Sequence, residues 1–159
     1  MIDRHALDFL IERAEKSRNE AGRDLAEQRQ MEQQLQGQLS LLRNYHKEYR
    51  QRLQTAMVNG VSLLTIRDYQ GFIKSLESAI AKAEEQLKSQ QRSVEHSQGA
   101  LHSQQRKLSS FDTLAERRKQ LERSSSARRE QKQSDELINN TFARRSQDSH
   151  SGITTEEGL

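Results

Sequence analysis

Positions taken alternately four and three residues apart from Leu7 are Leu7, Ile11, Ala14, Arg18, Ala21, Leu25, Gln28, Glu32, Leu35, Leu39, Leu42, His46, Tyr49, Leu53 and Ala56. About 11 of these 15 are apolar, far above the chain average of 31%. The same step from Tyr69 gives Ile73, Leu76, Ile80, Ala83, Leu87, Gln90, Val94, Ser97, Leu101, Gln104, Leu108, Phe111, Ala115 and Arg118, again about 11 of 15 with Tyr69 counted. This is the a/d pattern of a coiled-coil seam, and it predicts two amphipathic helices. The polar interruptions are isolated, and none of them breaks a helix.

Between the helices the pattern fails, at Met57 to Thr65. Asn59-Gly60 is the strongest turn signal in the chain, because both residues tolerate the left-handed backbone that ends a helix. Ser62 or Thr65 is placed to cap the next helix, and Thr65 has Asp68 three residues on. Two helices joined by one short turn pack antiparallel. The expected fold is therefore all-α: a long antiparallel two-helix coiled-coil hairpin over residues 1–123, with helices at about 4–57 and about 65–123 and a turn at about 58–64. Residues whose numbers add to about 122 then face each other, so that His46 meets Glu77, Leu42 meets Ile80, Tyr49 meets Ile73 and Leu53 meets Tyr69. At 1.5 Å per residue such helices make a rod on the order of 75–90 Å long. After Leu121 the run Ser124-Ser125-Ser126 interrupts the pattern, and the sustained apolar period is lost. Residues 124–159 are expected to be a polar, mostly disordered tail in which Leu137, Ile138 and Phe142 form one or two amphipathic turns.

Composition agrees with a thin seam rather than a compact core. The chain has 159 residues, 31% of them charged, a mean hydropathy of -1.05 and no proline. A disordered chain of that polarity would normally contain several prolines, whereas helix interiors exclude them. With no cysteine, disulfides and thiolate metal sites are excluded, in keeping with a reducing cytosol. The start has no signal-peptide core, and no stretch approaches the roughly 18 apolar residues of a membrane span. A net charge of +3 does not call for a nucleic-acid partner.

Catalysis finds little support. There is no GxxxxGK[ST] loop, and the glycines are scattered. His96 and His102 are six apart and fall on different helix faces, while His46 is expected to pair with Glu77 rather than to hold a metal. The Asn139-Asn140-Thr141 sequon has no secretory signal to go with it. No enzyme activity, cofactor or metal is expected. The run from Glu116 to Arg145 is rich in cations, among them Arg117, Arg118 and Arg123, and reads either as a solubilising helix end or as a dock for an acidic protein surface.

The informative region surrounds the turn. Of the seven aromatics, Tyr45, Tyr49, Tyr69 and Phe72 lie within about 16 residues of it. Tyr49 and Tyr69 are seam positions. Tyr45 and Phe72 sit one position off the seam, where a two-helix hairpin has no third layer to cover them. Gln38, Leu42, Tyr45 and Tyr49 share one helix face, as do Phe72, Leu76, Ala79 and Ala83. Together they predict an aromatic-bearing docking patch on the hairpin flank, unless long Lys or Arg stems lie over the rings.

The segments LLRNYHKEYRQRL and IRDYQGFIKSLESAI, on either side of Asn59-Gly60, resemble the flagellar FliJ family. The likeness rests on Tyr45, Tyr49 and Arg50, on the turn glycine, and on Tyr69-Gln70-x-Phe72-Ile73 followed by Leu76-Glu77 and Ala79-Ile80. It implies a component of the flagellar type III export apparatus, built like the two-helix stalk of a rotary ATPase. The implied partners are the export ATPase hexamer, the cytoplasmic domain of the export-gate membrane protein, and export chaperones. The resemblance carries the gate-binding face onto Gln38, Leu42, Tyr45, Tyr49, Phe72, Leu76 and Ala79, with Ala83 standing where the family is expected to have histidine. It implies that the helix-terminal end, with Arg117, Arg118 and Arg123, enters the ATPase ring, and that the protein is cytoplasmic, peripheral to the inner membrane and not inserted in it. An injectisome stalk and an unrelated cytoplasmic scaffold are the alternatives.

Overall fold

The structure, a computed structural model, describes residues 3–150. It contains two helices, α1 (Arg4–Asn59) and α2 (Leu63–His150), and no strand among the described residues. The chain divides into two units, residues 1–109 and residues 110–159.

In the first unit the helices run antiparallel with their seam positions inward. Across the seam His46 meets Glu77 as expected and Asp24 meets Ser97 in the same register, while Tyr49 meets Tyr69, rather than lying opposite Ile73 alone, and Gln28 meets Gln90. Burial follows the heptad. Each of the 15 stepped positions in α1, and each of the 12 from Tyr69 to Leu108 in α2, is buried or half-buried. Outside them, only Leu10, Ser17 and Gly22 in α1 and Thr65, Ile66, Ala79 and Ser93 in α2 are half-buried in this unit. Leu25, Leu39, Ile73, Leu76 and Leu108 form the most enclosed part of this unit's seam, at 4–9% exposure. A two-helix contact shields only one stripe of each helix, which is why low apolar content suffices.

Two polar contacts punctuate the seam. Gln90 Nε2 donates to the Gln28 carbonyl at 2.9 Å and to its side-chain oxygen at 2.8 Å. The buried Ser97 hydroxyl donates to Asp24 at 2.7 Å. Such contacts fix register at some cost in stability, since only one alignment of the helices satisfies them. Replacing both Gln28 and Gln90 by leucine is expected to raise stability by roughly 1–3 kcal/mol and to broaden the oligomeric distribution. Chemical denaturation and analytical ultracentrifugation read the two effects.

The turn is shorter than the sequence pattern suggests: α1 runs on to Asn59 and α2 starts at Leu63, leaving Gly60, Val61 and Ser62. Gly60 ends α1 at φ 78°, the one positive φ among the described residues, where a side chain would strain the backbone. Ser62 caps α2. Its hydroxyl accepts from the Thr65 amide at 3.4 Å and its carbonyl from the Ile66 amide at 3.2 Å.

The second unit departs from the expected tail. Helix α2 passes through Ser124-Ser125-Ser126 without interruption and continues to His150; residues 151–159 of the expected tail lie outside the described residues. The physical reason is the absence of a breaker, as no glycine or proline occurs between Gly99 and Gly152. Serine lowers helix propensity by only a few tenths of a kcal/mol. Several hydroxyls also fold back onto the helix: Thr141 donates to the Leu137 and Ile138 carbonyls, and Ser146 to that of Phe142. From Lys119 to His150 every residue is exposed, so propensity rather than packing holds this stretch.

Candidate functional site

The aromatic residues near the turn come together because α1 and α2 reach it in register. The Tyr49 ring is central. It lies 4.5 Å from Phe72 and 6.3 Å from Tyr69, tilted by 56° and 52°, and the Arg52 guanidinium sits 5.1 Å above it. Tilted rings at these separations are mutually attractive, so the three aromatics brace each other across the seam. Tyr49 and Tyr69 are half-buried. Tyr45 and Phe72 remain 45% and 44% exposed, so the arginine stem that covers Tyr49 does not close the patch.

The other expected members differ in what they present. Gln38 is exposed, and Leu42 and Ala79 are half-buried. Leu76 is 7% exposed and belongs to the seam, where it shapes the patch from beneath. Ala83 is half-buried. Around the rings, the expected members are thus apolar or small, apart from the exposed and polar Gln38.

His46 Nε2 lies 3.1 Å from Glu77 Oε1, as the hairpin register requires. Among the described residues no group of three or more His, Cys, Asp or Glu is arranged to hold a metal. No helix among the described residues is long and apolar enough to cross a membrane. In the second unit Arg117 and Arg123 are exposed, whereas Arg118 is half-buried and its Nε lies 3.7 Å from Glu122 one turn on. Leu137, Ile138 and Phe142 are 49–66% exposed on the helix.

Sequence reasoning missed one apolar cluster. Val58, Leu63 and Leu64, at the hairpin tip, are 82%, 70% and 72% exposed. The heptad count had a signal for them, since none is a seam position, but the turn assignment absorbed them.

Residues 3–147 match the family of flagellar FliJ proteins. Flagellar FliJ proteins from Salmonella typhi and from Escherichia coli K12 are each 32% identical to the chain over 145 residues, covering 91% of it and 99% of the relative. Among solved structures, a YscO homologue from Chlamydia trachomatis matches with a TM-score of 0.73, covering 93% of both chains. At 17% identity that likeness concerns the fold.

Proposed function

The chain belongs to the flagellar FliJ protein family, and from that premise we propose that it is a non-enzymatic part of the flagellar type III export apparatus, a coiled-coil stalk that links the export ATPase to the export gate. The observation that carries the reading is the aromatic shoulder. Phe72, nearly half exposed and braced 4.5 Å from the half-buried Tyr49 ring, and Tyr45, equally exposed on α1, are aromatic anchors of the kind that dominate binding energy at interfaces. The shoulder is the surface for the cytoplasmic domain of the gate protein, with Tyr45, Tyr49 and Phe72 at its centre and Gln38, Leu42, Leu76 and Ala79 around them.

The cationic stretch of α2, with Arg117, Arg118 and Arg123, is the surface for the ATPase ring. A stiff hairpin suits the task because it transmits position over tens of Å with only a narrow seam to hold it. Export chaperones are further partners, and the protein works on the cytoplasmic side of the inner membrane. The flagellar reading is preferred to an injectisome stalk because 32% identity lies with flagellar proteins, against 17% for the YscO homologue.

Reconstitution tests the reading. The immobilised full chain should retain purified gate domain and purified ATPase together, and deletion of its gene should abolish or sharply reduce motility. Retention of neither protein, or normal motility in the deletion strain, overturns the proposal.

A further inference from the structure

The apex has a second shoulder, on the flank away from the rings. A groove of about 1070 Å³ runs between α1 and α2 there, and neither Tyr45 nor Phe72 lines it. Leu53, Met57 and Ile73 contribute its apolar surface; Lys47 and Arg50 from α1 and Arg67 and Lys74 from α2 contribute its cations. Helical spacing explains the grouping. Lys47, Arg50 and Met57 recur on one face of α1, and Arg67, Gly71 and Lys74 on one face of α2.

Three observations indicate what the groove accepts. The first is charge: the one acid in the lining, Glu77, is engaged by His46, and none of the four cations makes an ion pair among the described residues. The second is concentration. Of the six Lys or Arg between residues 43 and 74, Arg43 and Arg52 pair with Glu84 and Glu48 and do not line the groove. The four that do line it therefore stand together without a paired acid, in a chain whose whole net charge is only +3. Like charges gathered on one shoulder repel each other in the isolated hairpin, and an anionic occupant relieves that repulsion. The third is Gly71. It sits inside α2, where glycine is disfavoured; its φ is not positive, and a Cβ there would meet nothing within 4 Å. Gly22, Gly37 and Gly99 are equally open, and Gly71 is the one that lines this groove. What its missing side chain leaves is clearance in the groove wall.

We propose that this groove seats an acidic amphipathic helix of a partner protein, as the third helix of a local three-helix bundle. The partner's apolar row rests on Leu53, Met57 and Ile73, and carboxylates on both of its flanks meet Lys47 and Arg50 on one side and Arg67 and Lys74 on the other. A helix fits better than a lipid surface. Ile73 is 9% exposed and Leu53 is half-buried, so the floor is recessed between the helices. A flat headgroup layer reaches the cations but not the floor, whereas a helix about 10 Å wide follows an interhelical groove. The inference stands on charge and geometry and does not depend on the family assignment.

The test uses the full chain and three labelled synthetic peptides of about 21 residues, read by fluorescence anisotropy. The first carries leucine at i, i+3, i+4 and i+7 spacing with glutamate on its flanks, the second replaces glutamate by lysine, and the third replaces leucine by serine. The first is expected to bind, and the others to bind at least about tenfold more weakly. Gly71→Leu, whose Cβ meets nothing within 4 Å, and Lys47→Glu with Arg67→Glu should each lose at least about tenfold with helicity retained. Tyr45→Ala with Phe72→Ala should bind the first peptide as the unaltered chain does. The proposal is overturned if the first peptide does not bind, if the serine peptide binds equally well, or if both groove variants bind normally. It is also overturned if vesicles containing phosphatidylglycerol, and not the peptide, bind in a way that the groove variants abolish.

Discussion

The double variant Tyr45→Ala with Phe72→Ala is expected to lose about 2–4 kcal/mol of affinity for the cytoplasmic domain of the export gate, roughly a 30- to 1000-fold weakening. Both rings are nearly half exposed, so their removal takes away contact surface without hollowing the seam. Tyr49 loses its neighbour at 4.5 Å, worth about 0.5–1.5 kcal/mol of ring–ring attraction, but it keeps Tyr69 and the overlying Arg52. The hairpin should therefore remain helical and melt only slightly earlier. Isothermal titration against purified gate domain, paired with circular dichroism, separates lost contact from lost fold. Unchanged affinity in a folded double variant contradicts the assignment of this shoulder.

Charge reversal at Arg117 and Arg123 should weaken binding to the ATPase by about 2–4 kcal/mol at low salt, since opposing like charges across an interface costs several kcal/mol. The deficit should shrink as ionic strength rises from about 0.05 to 0.5 M, where the screening length falls to a few Å. Arg118 is better left in place in this experiment. It is half-buried and lies beside Glu122, so a glutamate there would add a local repulsion to any effect on binding. Both substituted positions are exposed, and the helicity of α2 should not change. Equal affinity across the salt series would leave the cations as a solubilising helix end.

The fold was largely legible because a two-helix seam obeys one rule along its whole length. Every stepped position from Leu7 to Ala56 and from Tyr69 to Leu108 is buried or half-buried, including polar ones such as Gln28, Gln90 and Ser97. His46 opposite Glu77 follows from the turn alone. The boundaries were less legible. Asn59-Gly60 marks where α1 must stop, yet nothing in Val58 prevents the helix from reaching Asn59, and Ser62 rather than Thr65 takes the cap. In the tail, loss of apolar period does not bring loss of helix, since α2 runs on to His150. Period reports packing, whereas continuity depends on breakers, and residues 124–150 contain none. At the site, Tyr45 and Phe72 could be read as uncovered from their offset to the seam. The cationic groove could not, because it needs residues from both helices in space, and Lys47, Arg50, Arg67 and Lys74 look like ordinary solvated charges along the chain.

The account rests on the chain turning back at Gly60, which brings Tyr45 and Phe72 onto one shoulder. The absence of native cysteine allows spin labels to be placed cleanly at Gln33→Cys and Lys88→Cys, two exposed positions on opposite arms. Measured by pulsed electron paramagnetic resonance, with labelled chain diluted in unlabelled chain so that only distances within one molecule are seen, the pair should lie about 20–30 Å apart, the spacing of packed helices plus two label arms. A distribution centred near 80 Å, the span of an unbroken helix between the two positions, would contradict the hairpin and the shared shoulder with it.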